Sequence, residues 1–161
     1  MTGVYPTETE PQRPSVDAAR LWAGGLATAL VAALVAIVGI LVARGLLHVS
    51  VLAPKGAGVW GDASTGWYAF GAAAAGLAAT GLMHVLLLFT PRPMRFFGWI
   101  VSLATAAAML APFATDETMA AKVITAGLNL LLGAAIGSLV AGSARSATRR
   151  STARLAQNDY R

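Results

Sequence analysis

The chain has 161 residues, of which 57% are hydrophobic and only 12% charged, where an ordinary soluble domain carries about 25% charged residues. Its charges are segregated into tails and loops, which excludes an evenly solvated globular surface and indicates a chain sorted between lipid and water. Cysteine is absent and the only histidines are His48 and His84, so disulfides, thiolate chemistry and a histidine-rich metal site are set aside and no cofactor is implied.

Residues 1–20 are polar, contain Pro6, Pro11 and Pro14, and lack an apolar face, so they are expected to form a disordered tail. The first apolar run, 21–43, is too long for the core of a signal peptide. At 1.5 Å per residue it reaches about 34 Å, enough to cross a hydrocarbon core. Arg20 and Trp22 stand at its start, and Gly45 just past its end is the expected helix stop.

The connection from Gly45 to Gly66 is the longest. Leu47, Val49 and Val51 alternate with His48 and Ser50, a hint of extended chain. Pro54, Gly56, Gly58 and Gly61 break regular structure, so an irregular external loop is expected.

A second span is expected over 67–90, entered by Trp67 and Tyr68 and closed by Pro91-Arg92-Pro93. A third follows over 96–113, with Phe96, Phe97 and Trp99 at its entry and Pro112 at its exit. Asp116 and Glu117 lie in the next loop, where solvation and capping of the following helix explain them better than paired acid–base chemistry. The fourth span is expected over 120–141, and a basic tail follows.

These readings describe an all-α membrane protein with four transmembrane helices in an up-down bundle. The transmembrane domain occupies 21–143, between a cytoplasmic tail at 1–20 and a basic cytoplasmic tail at 144–161. Nine of the twelve basic residues (Arg13, Arg20, Arg92, Arg95, Arg145, Arg149, Arg150, Arg154 and Arg161) fall on the side shared by the two tails and the Pro91 turn. The positive-inside rule places that side in the cytoplasm, with the chain in the cell membrane. The same placement accounts for the net charge of +5, so membrane lipids rather than nucleic acid are the expected partners.

Several runs are similar to an uncharacterised family of small four-helix membrane proteins from actinobacteria. They are Pro91-Arg92-Pro93, Phe96-Phe97-Gly98-Trp99-Ile100, Leu110-Ala111-Pro112-Phe113, Asn129-Leu130 with Gly133 and Ile136-Gly137, and Val51-Leu52-Ala53-Pro54. The resemblance covers about Arg20 to Ser143 and implies the four-span topology; it implies no activity.

Within the spans, small residues and a few polar groups are the candidates. Gly133 and Gly137 form a GxxxG motif, which serves either homo-oligomerisation or packing within the bundle. Gly76 belongs to a second small stripe, Ala72, Gly76 and Thr80, which His84 continues. His84 is either a buried histidine hydrogen-bonded to a neighbouring helix or part of a proton path. The tight turn before the third span sets it level with Ser102, so it is expected to face the third helix and hydrogen-bond Ser102 or a nearby backbone carbonyl. By the same register argument Asn129 should face the third helix near Thr105.

No phosphate loop, nucleophile motif or zinc signature occurs, so no catalytic residue is expected and the protein is not expected to be an enzyme. Two functions fit: an accessory or scaffold subunit that acts by helix association, with its own copies or with another membrane protein, and an oligomeric small transporter or channel.

Overall fold

The computed structural model describes residues 18–54, 60–62 and 64–158. The expected N-terminal tail lies outside the described residues except for Ala18–Arg20, which open the first helix. The four long helices are α1 (Ala18–Leu41), α2 (Thr65–Phe89), α3 (Pro93–Leu110) and α4 (Met119–Asn158). Each is long and apolar enough to cross a membrane.

The boundaries follow local chemistry. Proline has no N–H to donate and its φ is already helical, so α3 begins on Pro93, three residues before the expected start. It passes into a tight 3-10 turn, Ala111–Ala114. Beyond Gly142 the sequence has neither glycine nor proline, and α4 runs past the expected end of its span to Asn158.

The end of α1 corrects the expected stop at Gly45. A π-turn over Val42–Leu46 carries the helix past Gly45. His48 then adopts the left-handed conformation, φ 53°, and the Val49 N–H donates to the Ala43 carbonyl at 2.9 Å.

The connection to α2 is not irregular throughout. β1 (Leu52–Pro54) and β2 (Trp60–Asp62) pair antiparallel, with Leu52 opposite Asp62 and Ala53 opposite Gly61. Val51, Leu52 and Ala53 are buried. The buried Leu52 N–H donates to Thr125 Oγ1 at 3.0 Å, which ties the hairpin to α4. An unpaired buried N–H would cost about 1–3 kcal/mol, so the threonine fixes where the hairpin sits.

Helix α1 is the hub and packs most extensively on α2 and α4. Along α1 the buried positions Gly25, Thr28, Ala29, Ala32 and Ala36 recur at helical spacing. Against α2 they allow backbone contact. A Cβ added at Gly76 would lie 3.1 Å from Ala29 Cα and 3.3 Å from Ala29 N, and one added at Gly25 would overlap the Thr80 side chain. The two buried threonines here are satisfied within their own helices. Thr28 Oγ1 donates to the Gly24 carbonyl at 2.8 Å, and Thr80 Oγ1 to the Gly76 carbonyl at 2.9 Å. Towards α4, Gly24 lies against Ser143 and Gly39 against Leu128.

Helix α3 is peripheral. It leans on α4, and of its residues only Phe97 is fully buried. Although a short turn joins them, α2 and α3 make less contact than the other consecutive helix pairs.

Candidate functional site

The packing of α2 decides where its polar residues point. Gly76 and Thr80 meet α1 at Ala29 and Gly25, and His84 lies one turn further along the same stripe. Its ring consequently meets Trp22 of α1, with centroids 6.4 Å apart and planes inclined at 48°. Ser102 is exposed on α3. The expected pairing of His84 with Ser102 is therefore corrected: the register estimate was a statement about depth, and α2 had already committed that stripe to α1. His84 Nδ1 is buried without a hydrogen-bond partner among the described residues.

Asn129 holds a different arrangement. Its Oδ1 accepts from the Tyr68 hydroxyl of α2 at 2.5 Å, and its Nδ2 donates to the Ala108 carbonyl of α3 at 2.7 Å. One amide thus links three helices. Thr105 is not its partner but lies one turn away, where it covers Gly133; Gly137 lies against Val101. The shift from the expected register, about one turn, originates in the connection. The 3-10 turn rises about 2.0 Å per residue rather than 1.5, and Thr115 is extended (φ −104°, ψ 162°), so the chain climbs beyond α3 before α4 begins.

Tyr68 and Phe97 were both expected at span ends as interfacial aromatics. Phe97 is buried in the core and Tyr68 is turned inward. The signal for Tyr68 was its position one turn before Ala72, on the small-residue side of α2. Trp67 and Phe70 remain outward, stacked with centroids 5.7 Å apart.

Below this polar link lies a cavity of about 750 Å³ between α2 and α3. Gly71, Ala75 and Ala79 form one wall and Ala104, Ala107 and Ala111 the other. Leu132 and Ile136 of α4 make the floor, and Leu52 and Ala53 of the hairpin close one end. Among the described residues no charged one lines it. On the far side of α3 a second groove, of about 470 Å³, runs between Gly98, Ser102 and Ala106 and the α4 residues Ala134 and Ser138. Among the described residues no three carboxylate or histidine side chains gather to hold a metal ion.

An all-α chain of four long apolar helices, with one polar link beneath a docked hairpin, defines the class. The chain belongs to the family of unknown function DUF6069, whose profile matches residues 16–146. No curated protein and no solved structure matches it. The family match begins just before α1 and ends within α4.

Proposed function

We propose that this protein is a four-span integral membrane protein, with both termini in the cytoplasm, that acts by helix association as an accessory or scaffold subunit and not as an enzyme. The membrane reading is supported by four helices of sufficient length and apolarity and by the arginine bias towards one side.

The association reading is carried by the outer face of α3. Gly98, Ser102 and Ala106 recur every four residues, and all three are exposed. Small residues at this spacing let two helix backbones approach in lipid, where dispersion and polar contacts drive association in place of the hydrophobic effect. Gly98 has nothing within 4 Å of an added Cβ, so its small size serves no contact inside the bundle. The neighbouring Ser138 donates to the Ala135 carbonyl of its own helix at 3.1 Å, which leaves it compatible with an apolar partner. The docking helix belongs to a second copy or to another membrane protein.

The alternative, an oligomeric transporter or channel, rests on His84, whose Nδ1 lacks a partner among the described residues. Asn129, a second polar residue within the spans, is committed to Tyr68 and Ala108.

Two experiments test the proposal. With cysteine absent from the natural chain, Ser64→Cys and Ser151→Cys can each be probed alone with an impermeant thiol reagent on intact cells. Ser64→Cys should label and Ser151→Cys should not; the reverse, or equal labelling, refutes the topology. Gly98→Leu with Ala106→Leu should abolish complexes held by α3 while leaving thermal stability unchanged. Complexes that survive the pair refute the assigned face.

A further inference from the structure

We propose that the cavity between α2 and α3 binds one neutral, membrane-soluble molecule that has an extended apolar body and a carbonyl group, and that the carbonyl accepts a hydrogen bond from Asn129 Nδ2. The inference rests on the membrane reading above for the source of the ligand, and on the geometry of the cavity for its chemistry.

The cavity volume of about 750 Å³ falls within the range of about 300–1,000 Å³ usual for small-molecule sites. Its walls are mainly alanine and glycine from two helices that make less contact with each other than the other consecutive pairs do. Leu132 and Ile136 stand between them as a floor, and the hairpin seals the end nearest Tyr68. Gly71, Ala75, Ala104 and Ala107 are exposed, so the opening is lateral, between the helices. A ligand therefore enters from the bilayer and not from water. From Tyr68 to Ala79 the wall runs about 16 Å along α2, the length offered to an apolar chain.

The polar end is specific in what it can accept. Asn129 Nδ2 carries two hydrogens and uses one on the Ala108 carbonyl; the Tyr68 proton is used on Asn129 Oδ1. The hydrogen left over calls for an acceptor. With no charged side chain in the lining among the described residues, a carboxylate, phosphate or ammonium placed here would find no counter-charge among them and would meet a large desolvation cost. A neutral carbonyl meets both conditions. Two bilayer molecules supply one: the ester of an acylated lipid and the ring of a lipid quinone.

Native mass spectrometry of the full chain in mild detergent separates these sources. The probes are dioleoylglycerol, its dialkyl ether analogue without ester carbonyls, and decylubiquinone. A saturable one-to-one adduct with the diester, at least tenfold more abundant than with the diether, identifies an ester carbonyl. An adduct with decylubiquinone identifies a quinone. Ala75→Leu with Ala104→Leu, which fills the cavity, should reduce either adduct at least tenfold without lowering thermal stability. Absence of both carbonyl adducts overturns the proposal, as does equal binding of diester and diether without quinone binding, or an adduct that persists in the filled variant. The cysteine-labelling result is independent of these outcomes, so failure of the membrane topology and failure of the ligand site are told apart.

Discussion

On one side of α2, Gly76 lies against the α1 backbone at Ala29; on another, Gly71, Ala75 and Ala79 look across open space towards α3. The residue types are the same on both sides. Opposite the first stand Gly25, Thr28 and Ala29, opposite the second Ala104, Ala107 and Ala111, equally small. Small side chains thus permit helix contact without causing it. What differs is the third element. At α1–α2 nothing intervenes, and the hydroxyls of Thr28 and Thr80 turn back onto their own helices. At α2–α3, Leu132 and Ile136 of α4 fill the floor, and Asn129 holds Tyr68 and Ala108 at fixed separation.

The sharpest way to break that comparison is to enlarge one glycine on each side. Gly76→Leu must displace backbone, because the nearest atoms are Ala29 Cα and N. Overpacking of this kind costs about 3 kcal/mol or more, and the variant should unfold at markedly lower temperature in detergent. Gly71→Leu, on the same helix, has nothing within 4 Å of its Cβ and should change stability by less than about 0.5 kcal/mol. Equal losses in thermal unfolding would mean that α2–α3 is closed as tightly as α1–α2.

A smaller effect is expected at the α3–α4 contact, where the obstruction is a side chain. A methyl added at Gly133 would overlap Thr105, which has a rotatable χ1. Gly133→Ala is expected to cost about 1–2 kcal/mol, and Gly133→Ala with Thr105→Ala to recover most of it. Additive losses in the denaturation of the pair would show that Thr105 is not the obstruction.

The two sides also differ in how far the residues alone disclose them. The four helices were legible because each carries an uninterrupted apolar run, and Pro93 and the Pro91 turn mark one boundary plainly. The partners of individual faces were not legible. A tight turn between α2 and α3 predicts that consecutive helices meet, which placed His84 beside Ser102; the choice of α1 by the Gly76 stripe depends on complementary residues fifty positions earlier in the chain. The hairpin is obscured by its glycines and proline, which read as an irregular loop until Thr125 of α4 supplies the acceptor for the Leu52 N–H. Tyr68 was hidden by its position at a span end, where aromatic residues ordinarily mark an interface.

Asn129 tests the spacer role directly. Asn129→Leu removes both the acceptor for Tyr68 and the donor to Ala108 while keeping the volume. Interhelical bonds of this kind in membrane proteins contribute about 0.6–2 kcal/mol, and a loss in that range is expected. Tyr68→Phe removes only one bond and should lose about half as much. In the double variant the Tyr68 substitution should add nothing, since its acceptor is already gone. Full additivity in chemical denaturation would place the two side chains in separate networks.

The smallest effect is expected where α1 leaves the closed interface and the chain turns towards the hairpin. His48 sits at φ 53°, a conformation that places the Cβ of an L-residue close to the following carbonyl and costs about 1 kcal/mol or slightly more. Glycine adopts it freely, so His48→Gly removes that cost in the folded state. The same substitution increases the freedom of the unfolded chain, which offsets part of the gain. The balance predicts a stabilisation of about 0.5 kcal/mol, while His48→Val, β-branched and ill-suited to the left-handed region, should destabilise by about 1 kcal/mol or more. The comparison with α2 is sharpened by a second readout. Because His48 is exposed, neither change should alter the contacts of Gly76, but a strained exit would shift Val51 and Leu52 and so loosen the Leu52–Thr125 hydrogen bond. Amide exchange at Leu52 should therefore quicken in His48→Val and slow or hold in His48→Gly. The same exchange rate in both variants would mean that the hairpin is positioned by α4 alone and that the exit of α1 does not set where it docks.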